Sequence, residues 1–314
     1  MRPEPDSDTR RLLARLQAWG RENGRALEDM TPREARLMMQ ALLQRFGLAA
    51  SRLCSCEDRE QPVPMRIYRP PARCACAPCV VFFHGGGWAM GDVESYHPLL
   101  DRLAAASGAV FVCVDYRLAP EHPFPAALED CLAVTRRALT GAAALGVAPE
   151  RIFVMGDSAG GALAAAVARV LSREWPDALA GQILLYPLLD IAGPHRAHPS
   201  RMRFGSGDYF LSLTDIDRAA SWYAPDPASR HNPLVSPLLE PDLTGMPATR
   251  ILTAGFDPLH DEGEHYARRL ADAGVSVSRH CAPTIIHAFL SFRGLAAGAR
   301  WRRRIARWVR GAQA

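Results

Sequence analysis

Between residues 151 and 171 the chain reads RIFVMGDSAGGALAAAVARVL: a short apolar run, one serine among residues with almost no side chain, then an alanine-rich run of helical composition. A strand that turns at once into a helix leaves the first helical N–H groups unpaired beside the turn. A serine there sits at the positive end of the helix dipole, and small neighbours let strand and helix close around it. Gly156-Asp157-Ser158-Ala159-Gly160 has the G-x-S-x-G form of a nucleophile elbow; the alternative for such a run is a glycine-rich helix cap or phosphate loop.

The rest of the chain supplies the sheet that such an elbow needs. Strands are predicted at 64–69, 79–84, 109–115, 151–155, 181–186, 249–254 and 275–281, with helices near 95–107, 125–141, 159–173, 261–273 and 298–311. Near-continuous apolar strands alternating with helices predict an α/β fold, with a mostly parallel central sheet flanked by helices on both faces. Ahead of it, residues 8–22 and 31–46 read as amphipathic helices. The second carries a capping box, with Thr31 as cap, Pro32 at the first turn and Glu34 three residues on. Leu12, Leu16 and Trp19 mark the buried stripe of the first helix, and Leu37, Met38, Ala41 and Leu42 that of the second. Residues 190–230 break the alternation and read as an insertion above the sheet, with 209–224 helix-like. In the last helix Arg300, Arg302, Arg303, Arg304, Arg307 and Arg310 surround an apolar stripe of Trp301, Ile305, Trp308 and Val309, the pattern of a solvated face over a core.

Composition removes several functions. With 314 residues and a net charge of +4, the chain suits one large α/β unit and gives no argument for nucleic acid. All 37 basic residues are arginine, which excludes a Schiff-base lysine, a phosphate-loop lysine and a Ser-Lys pair. The start, MRPEPDSDTRR, lacks the apolar core of a signal peptide, and no apolar stretch reaches membrane-spanning length, so a cytoplasmic setting with reduced thiols is expected. Cys54, Cys56, Cys74, Cys76 and Cys79 cluster, but at spacings unlike those of zinc sites, and a structural role without metal is expected.

A second motif, His84-Gly85-Gly86-Gly87-Trp88, closes an apolar strand, and consecutive glycines let backbone N–H groups face a developing oxyanion. An elbow serine requires an acid and then a histidine further along the chain. Asp257 follows a strand at the sheet edge where ligands bind, whereas its rival Asp261 reads as a helix cap. Among the histidines, His287 follows the last strand through a short loop, 282–286. His280 lies within that strand, His260 and His265 are five apart beside a helix, and His195 and His198 read as surface residues of the insertion.

In combination, the HGGG and GDSAGG blocks, Asp115-Tyr116-Arg117-Leu118-Ala119-Pro120-Glu121-His122-Pro123, and Asp257-Pro258-Leu259-His260-Asp261-Glu262-Gly263 resemble the bacterial hormone-sensitive-lipase-like esterases of the α/β-hydrolase fold. The resemblance spans roughly 60–295. It implies a serine carboxylesterase acting on small to medium acyl esters through an acyl-enzyme, with Ser158 as nucleophile, Asp257 as acid and His287 as base. Gly85, Gly86 and Ala159 would supply the oxyanion N–H groups, and no cofactor would be needed. It further implies that residues 1–50 and 190–230 form a helical cap over a catalytic unit of 51–189 and 231–314. Trp88, Tyr209, Phe210 and Ile286 are the substrate contacts expected, within a wider apolar set of Met38, Met39, Phe46, Phe204, Trp222, Ile285 and Phe289. Expected partners are a small-molecule ester, with no nucleic acid and no membrane; a homodimer is left open. An amidase or deacetylase with the same triad stays open, and a non-catalytic binding protein is the alternative of another class. The chain departs from the family pattern at Ala282, Thr284 and Ala288, where an aromatic residue, a glycine and a glycine are usual.

Overall fold

The computed structural model describes residues 4–23, 27–71 and 76–311; Cys74, one of the clustered cysteines, lies outside them. Helix α1 (Ser7–Asn23) opens on Asp6, whose carboxylate accepts the Thr9 N–H at 2.8 Å, and α2 (Pro32–Phe46) carries the capping box read from Thr31 and Glu34. Then come β1 (Ser55–Arg59), β2 (Met65–Arg69), β3 (Cys79–Phe83), α3 (Val93–Ser107), β4 (Val110–Val114), α4 (Ala126–Thr140) and the single turn α5 (Ala142–Leu145). Strand β5 (Ile152–Asp157) runs through Ser158 into α6 (Ala159–Glu174), followed by β6 (Gly181–Leu185). A long excursion holding α7 (Pro199–Phe204) and α8 (Leu213–Tyr223) separates β6 from β7 (Thr249–Phe256). The chain closes with α9 (His260–Asp272), β8 (Val277–Ile286) and α10 (Ala296–Arg310).

The eight strands form one sheet in the order β1-β2-β4-β3-β5-β6-β7-β8. The β1/β2 and β2/β4 pairs are antiparallel and every other pair is parallel. The central strands are buried on both faces. Along β3, Cys79, Val81 and Phe83 enter one core with α4, α6 and α9, while Val80 and Phe82 enter the other with α1, α3 and α10. Period-2 alternation thus explains why β3 reads as a continuous apolar run. The strand order places β5 between β3 and β6 in the middle of the sheet, so that Ser158, at its carboxyl end, lies centrally.

Several expectations change. Strand β1 was not predicted, because its sequence SCEDR is almost wholly exposed; a charged edge strand carries no apolar alternation. Residues 282–286, expected as a loop, complete β8, which is the opposite edge strand, where Pro283 is tolerated without its N–H. In α2, Leu37 and Ala41 face solvent, and the inward stripe runs instead through Ala35, Met38, Leu42 and Phe46. His198 is buried against Asp190, 2.9 Å apart, not superficial. Beside it the buried Arg201–Glu262 pair, 3.0 Å apart, ties α7 to α9. Burial pushes the Glu262 carboxyl up to about 7 despite the facing guanidinium. On α10, Ile305, Trp308 and Val309 are buried as the stripe predicts, with Arg300, Arg303, Arg307 and Arg310 exposed.

Candidate active site

Ser158 occupies the β5–α6 turn with φ +54°, in the left-handed region that L side chains rarely adopt. The surrounding backbone holds it there: its N–H donates to Leu185 O, and its carbonyl accepts from Gly161, Ala162 and Leu188. The flanking glycines are required by close approach. A Cβ on Gly156 would lie 2.0 Å from Gly160 O, and one on Gly160 would lie 2.0 Å from Phe83 O. The strand, the helix and β3 therefore meet at backbone contact, which answers why the serine has such small neighbours.

Two other strand ends bring the partners. His287 follows β8 directly, and its Nε2 lies 3.0 Å from Ser158 Oγ. Its Nδ1 lies 2.7 Å from Asp257 Oδ2, just beyond β7. Asp257 is fully buried and its other oxygen accepts the Leu259 N–H at 2.9 Å. A carboxylate so held accepts a hydrogen bond from the imidazole Nδ1–H, keeps that proton on Nδ1 and turns the Nε2 lone pair toward the serine hydroxyl. Asp261 does not cap α9; it is the second helical residue, and its carboxylate accepts the Ser200 N–H.

The glycine loop differs from expectation at one residue. Gly85 N–H donates to Asp157 Oδ1 at 2.8 Å and lies 3.0 Å from Tyr96 Oη, so it is already spoken for and cannot serve an oxyanion. Tyr96 in turn donates to Asp157 Oδ2 at 3.0 Å. Among the described residues, the N–H groups of Gly86, Gly87 and Ala159 have no acceptor, and Gly86 and Gly87 border the same cavity as Ser158. Gly87, which the sequence does not single out, therefore presents a free N–H to the cavity beside Gly86. Asp157 is the anchor that joins the glycine loop to the elbow, and burial pushes its carboxyl up to about 6. His84 is buried against Tyr116, with ring centroids 4.2 Å apart, and burial lowers it to about 4, leaving it a neutral structural residue.

Above this floor lies a cavity of about 440 Å³. Its walls come from α1 (Leu13, Leu16, Trp19), α2 (Met38, Met39, Leu42), the α7–α8 connection, α8 and the segment 288–292. Of the expected contacts, Phe210 lines it, as do Met38 and Met39. Trp88, Tyr209 and Ile286 do not. Trp88 is fully buried and stacks on Tyr223 at 4.4 Å, Tyr209 packs on Phe204 and Phe256 behind the wall, and Ile286 is buried at the end of β8. Phe46, Phe204, Trp222, Ile285 and Phe289 are likewise core residues off the lining. Leu13, Leu16, Trp19, Met90, Asp215 and Phe292 line it without being marked as contacts by the sequence, where Leu16 and Trp19 read as part of a buried stripe.

The departures around the base now have structural content. Thr284 Oγ1 donates to Asp6 Oδ2 at 3.0 Å, and Asp6 N–H donates to Thr284 O at 3.1 Å, binding the start of α1 to β8. Ala288 has φ +57°, so the residue after the base bears a conformation that glycine adopts without strain. Elsewhere, among the described residues, no group of three or more His, Cys, Asp or Glu side chains is placed to hold a metal ion. No helix there is long and apolar enough to cross a membrane.

Comparison with known proteins agrees with this geometry. A family model of the alpha/beta hydrolase fold matches residues 80–291. The carboxylesterase NlhH of Mycobacterium tuberculosis is 37% identical over 235 residues, covering 73% of this chain and 72% of that protein. The ethyl acetate hydrolase of Pseudomonas putida is 37% identical over 231 residues, covering 73% and 71%. Among solved structures, an ester hydrolase from the metagenome of Lake Arreo superposes with a TM-score of 0.91 at 32% identity, covering 98% of each chain.

Proposed function

Since the chain belongs to the alpha/beta hydrolase family and is a carboxylic ester hydrolase, we propose that Ser158, His287 and Asp257 carry the reaction on small to medium acyl esters. His287 Nε2 removes the Ser158 proton as Oγ attacks the ester carbonyl, and Asp257 stabilises the imidazolium that forms. The N–H groups of Gly86, Gly87 and Ala159 receive the oxyanion at the start of α6, where the helix dipole favours negative charge. Collapse of the tetrahedral adduct passes the proton from His287 to the departing alcohol and leaves an acyl-Ser158. Water activated by the same histidine then releases the acid.

The observation that carries this reading is the unbroken line from Asp257 to His287 to Ser158, at 2.7 and 3.0 Å, at the floor of a largely apolar cavity. Helices α1 and α2 and the excursion around α8 act as the cap in this proposal, and the cavity they enclose holds the acyl and alcohol groups. A fluorophosphonate probe tests the nucleophile: the expected result is a single adduct on Ser158, blocked by prior acylation. Labelling at another residue, or none in a protein that turns over p-nitrophenyl butyrate, overturns it. The same proposal places the enzyme in the cytoplasm, which cell fractionation checks; light scattering decides between monomer and homodimer.

A further inference from the structure

The residues that line the cavity are lopsided in charge. Although the chain has 37 arginines, none lines it among the described residues, while Asp208 and Asp215 both do. Asp157 also borders the space, but Gly85 and Tyr96 occupy both of its oxygens. Asp208 stands at the exposed rim, where Ser206 donates to its carboxylate. Asp215 is the inner one. It lies in the first turn of α8, and one oxygen, Oδ2, accepts the Ser212 N–H at 2.9 Å in a capping box. The carboxylate borders the cavity; burial raises it, against which the Ser212 hydroxyl and N–H and the charge on nearby His287 favour its ionised form. Arg218, one turn along α8, is engaged elsewhere: it donates to Met30 O and lies over the Trp222 ring.

The rest of the wall suits a large soft cation. Trp19, Phe210 and Phe292 line the space, the last two as a perpendicular pair with centroids 5.2 Å apart. Ring faces attract quaternary ammonium groups, and the polarizable thioethers of Met30, Met38, Met39 and Met90 add apolar contact. An anionic ester would meet the opposite: two carboxylates and no arginine. Resting on the esterase reading above, we propose that this cavity sorts esters by charge, taking those that carry an ammonium group and rejecting those that carry a second anion, with Asp215 setting the preference.

The test compares butyrylcholine with 3,3-dimethylbutyl butyrate, its uncharged carbon isostere, and with 3-sulfopropyl butyrate, using the full chain and a pH-stat at low ionic strength. Expected kcat/KM falls in that order, with the choline ester about tenfold above its isostere, the scale of a partly buried charge contact. In Asp215→Asn, which keeps an acceptor for the Ser212 N–H, that ratio falls toward one. The wild-type ratio needs no variant, so poor folding of Asp215→Asn leaves the test standing. A wild-type ratio at or below one overturns the proposal. So does an Asp215→Asn protein that slows both esters equally, since Asp215 would then act only through the His287 imidazolium. Hydrolysis of p-nitrophenyl butyrate separates the readings: where it persists, only the charge preference has failed, and where it is absent the esterase site itself is misassigned.

Discussion

On the floor of the cavity, the ends of β3, β5, β7 and β8 deliver Gly86, Ser158, Asp257 and His287 through backbone contacts that leave no room for a larger residue. In the roof, α1 and α2 deliver methionines, leucines and a tryptophan held by packing, and α8 adds Ile216, Ala219 and the capping-box carboxylate of Asp215. The floor places atoms to within a hydrogen bond of one another. The roof places surface. Changes in the floor are therefore expected to remove chemistry from every substrate alike, whereas changes in the roof redistribute rates among substrates.

The largest effect tests the floor at its centre. Ser158→Ala is expected to lower kcat by about 10⁴-fold or more, because the covalent route is lost and only binding and the oxyanion donors remain. Circular dichroism and Tm should hold, since alanine is no larger than the serine it replaces. Asp257→Asn is the next step down. The carboxylate that fixes the His287 tautomer becomes an amide, and a loss of about 10³- to 10⁴-fold is expected for acetyl and hexanoyl esters equally. Uneven losses across acyl lengths would show that the floor also selects substrate.

The same division decided what was legible in the sequence. The elbow, the glycine loop, Asp257 and His287 each stand beside a strand end in an ordered series, so local pattern located them. What local pattern missed was which donors were already taken: Gly85 and Gly86 look alike in HGGG, and only Asp157, reaching across from the next strand, distinguishes them. The roof was far less readable. Trp88 and Tyr209 are aromatic and near the right place, yet each packs against its own neighbours, whereas Trp19 and Asp215 face the cavity because two distant helices meet there. Asp215 in particular carries no mark in the sequence beyond its place near the start of a helix, where it closes the capping box of Ser212. The edge strands were less readable for another reason: β1 has one face in water and the other nearly so, and the second half of β8, beyond the predicted 275–281, contains a proline.

A smaller effect sharpens the boundary between floor and support. Burial raises Asp157 from its ordinary 3.8 to about 6, so the folded protein favours the protonated carboxyl. For such a group the stability it contributes is fully present below its unfolded value and is lost as pH rises through the folded one. Between pH 4 and pH 7 the wild type should therefore lose on the order of 2 kcal/mol relative to Asp157→Asn, which cannot titrate. Urea unfolding of both proteins at the two pH values measures this directly, with every other titrating group cancelling in the difference. Parallel profiles would mean that the Gly85 and Tyr96 hydrogen bonds hold the carboxylate charged without penalty.

The smallest expected effect lies wholly in the roof. An apolar wall stabilises each methylene it can cover by roughly 0.8 kcal/mol, or about fourfold in kcat/KM per carbon. A space of about 440 Å³ limits how many carbons gain, and the excursion between β6 and β7 exposes Arg196 and Arg203 instead of a broad apolar lid. Rates on p-nitrophenyl esters should therefore climb from acetyl to about butyryl or hexanoyl and then fall. Met38 borders the space from α2, and Met38→Trp fills part of it with a rigid ring, which should move the optimum about two carbons shorter. The hexanoyl rate should drop by about tenfold, roughly two methylenes' worth, and the acetyl rate far less. An unchanged length profile would show that the acyl chain runs elsewhere, away from α2, and that this part of the roof covers the alcohol side.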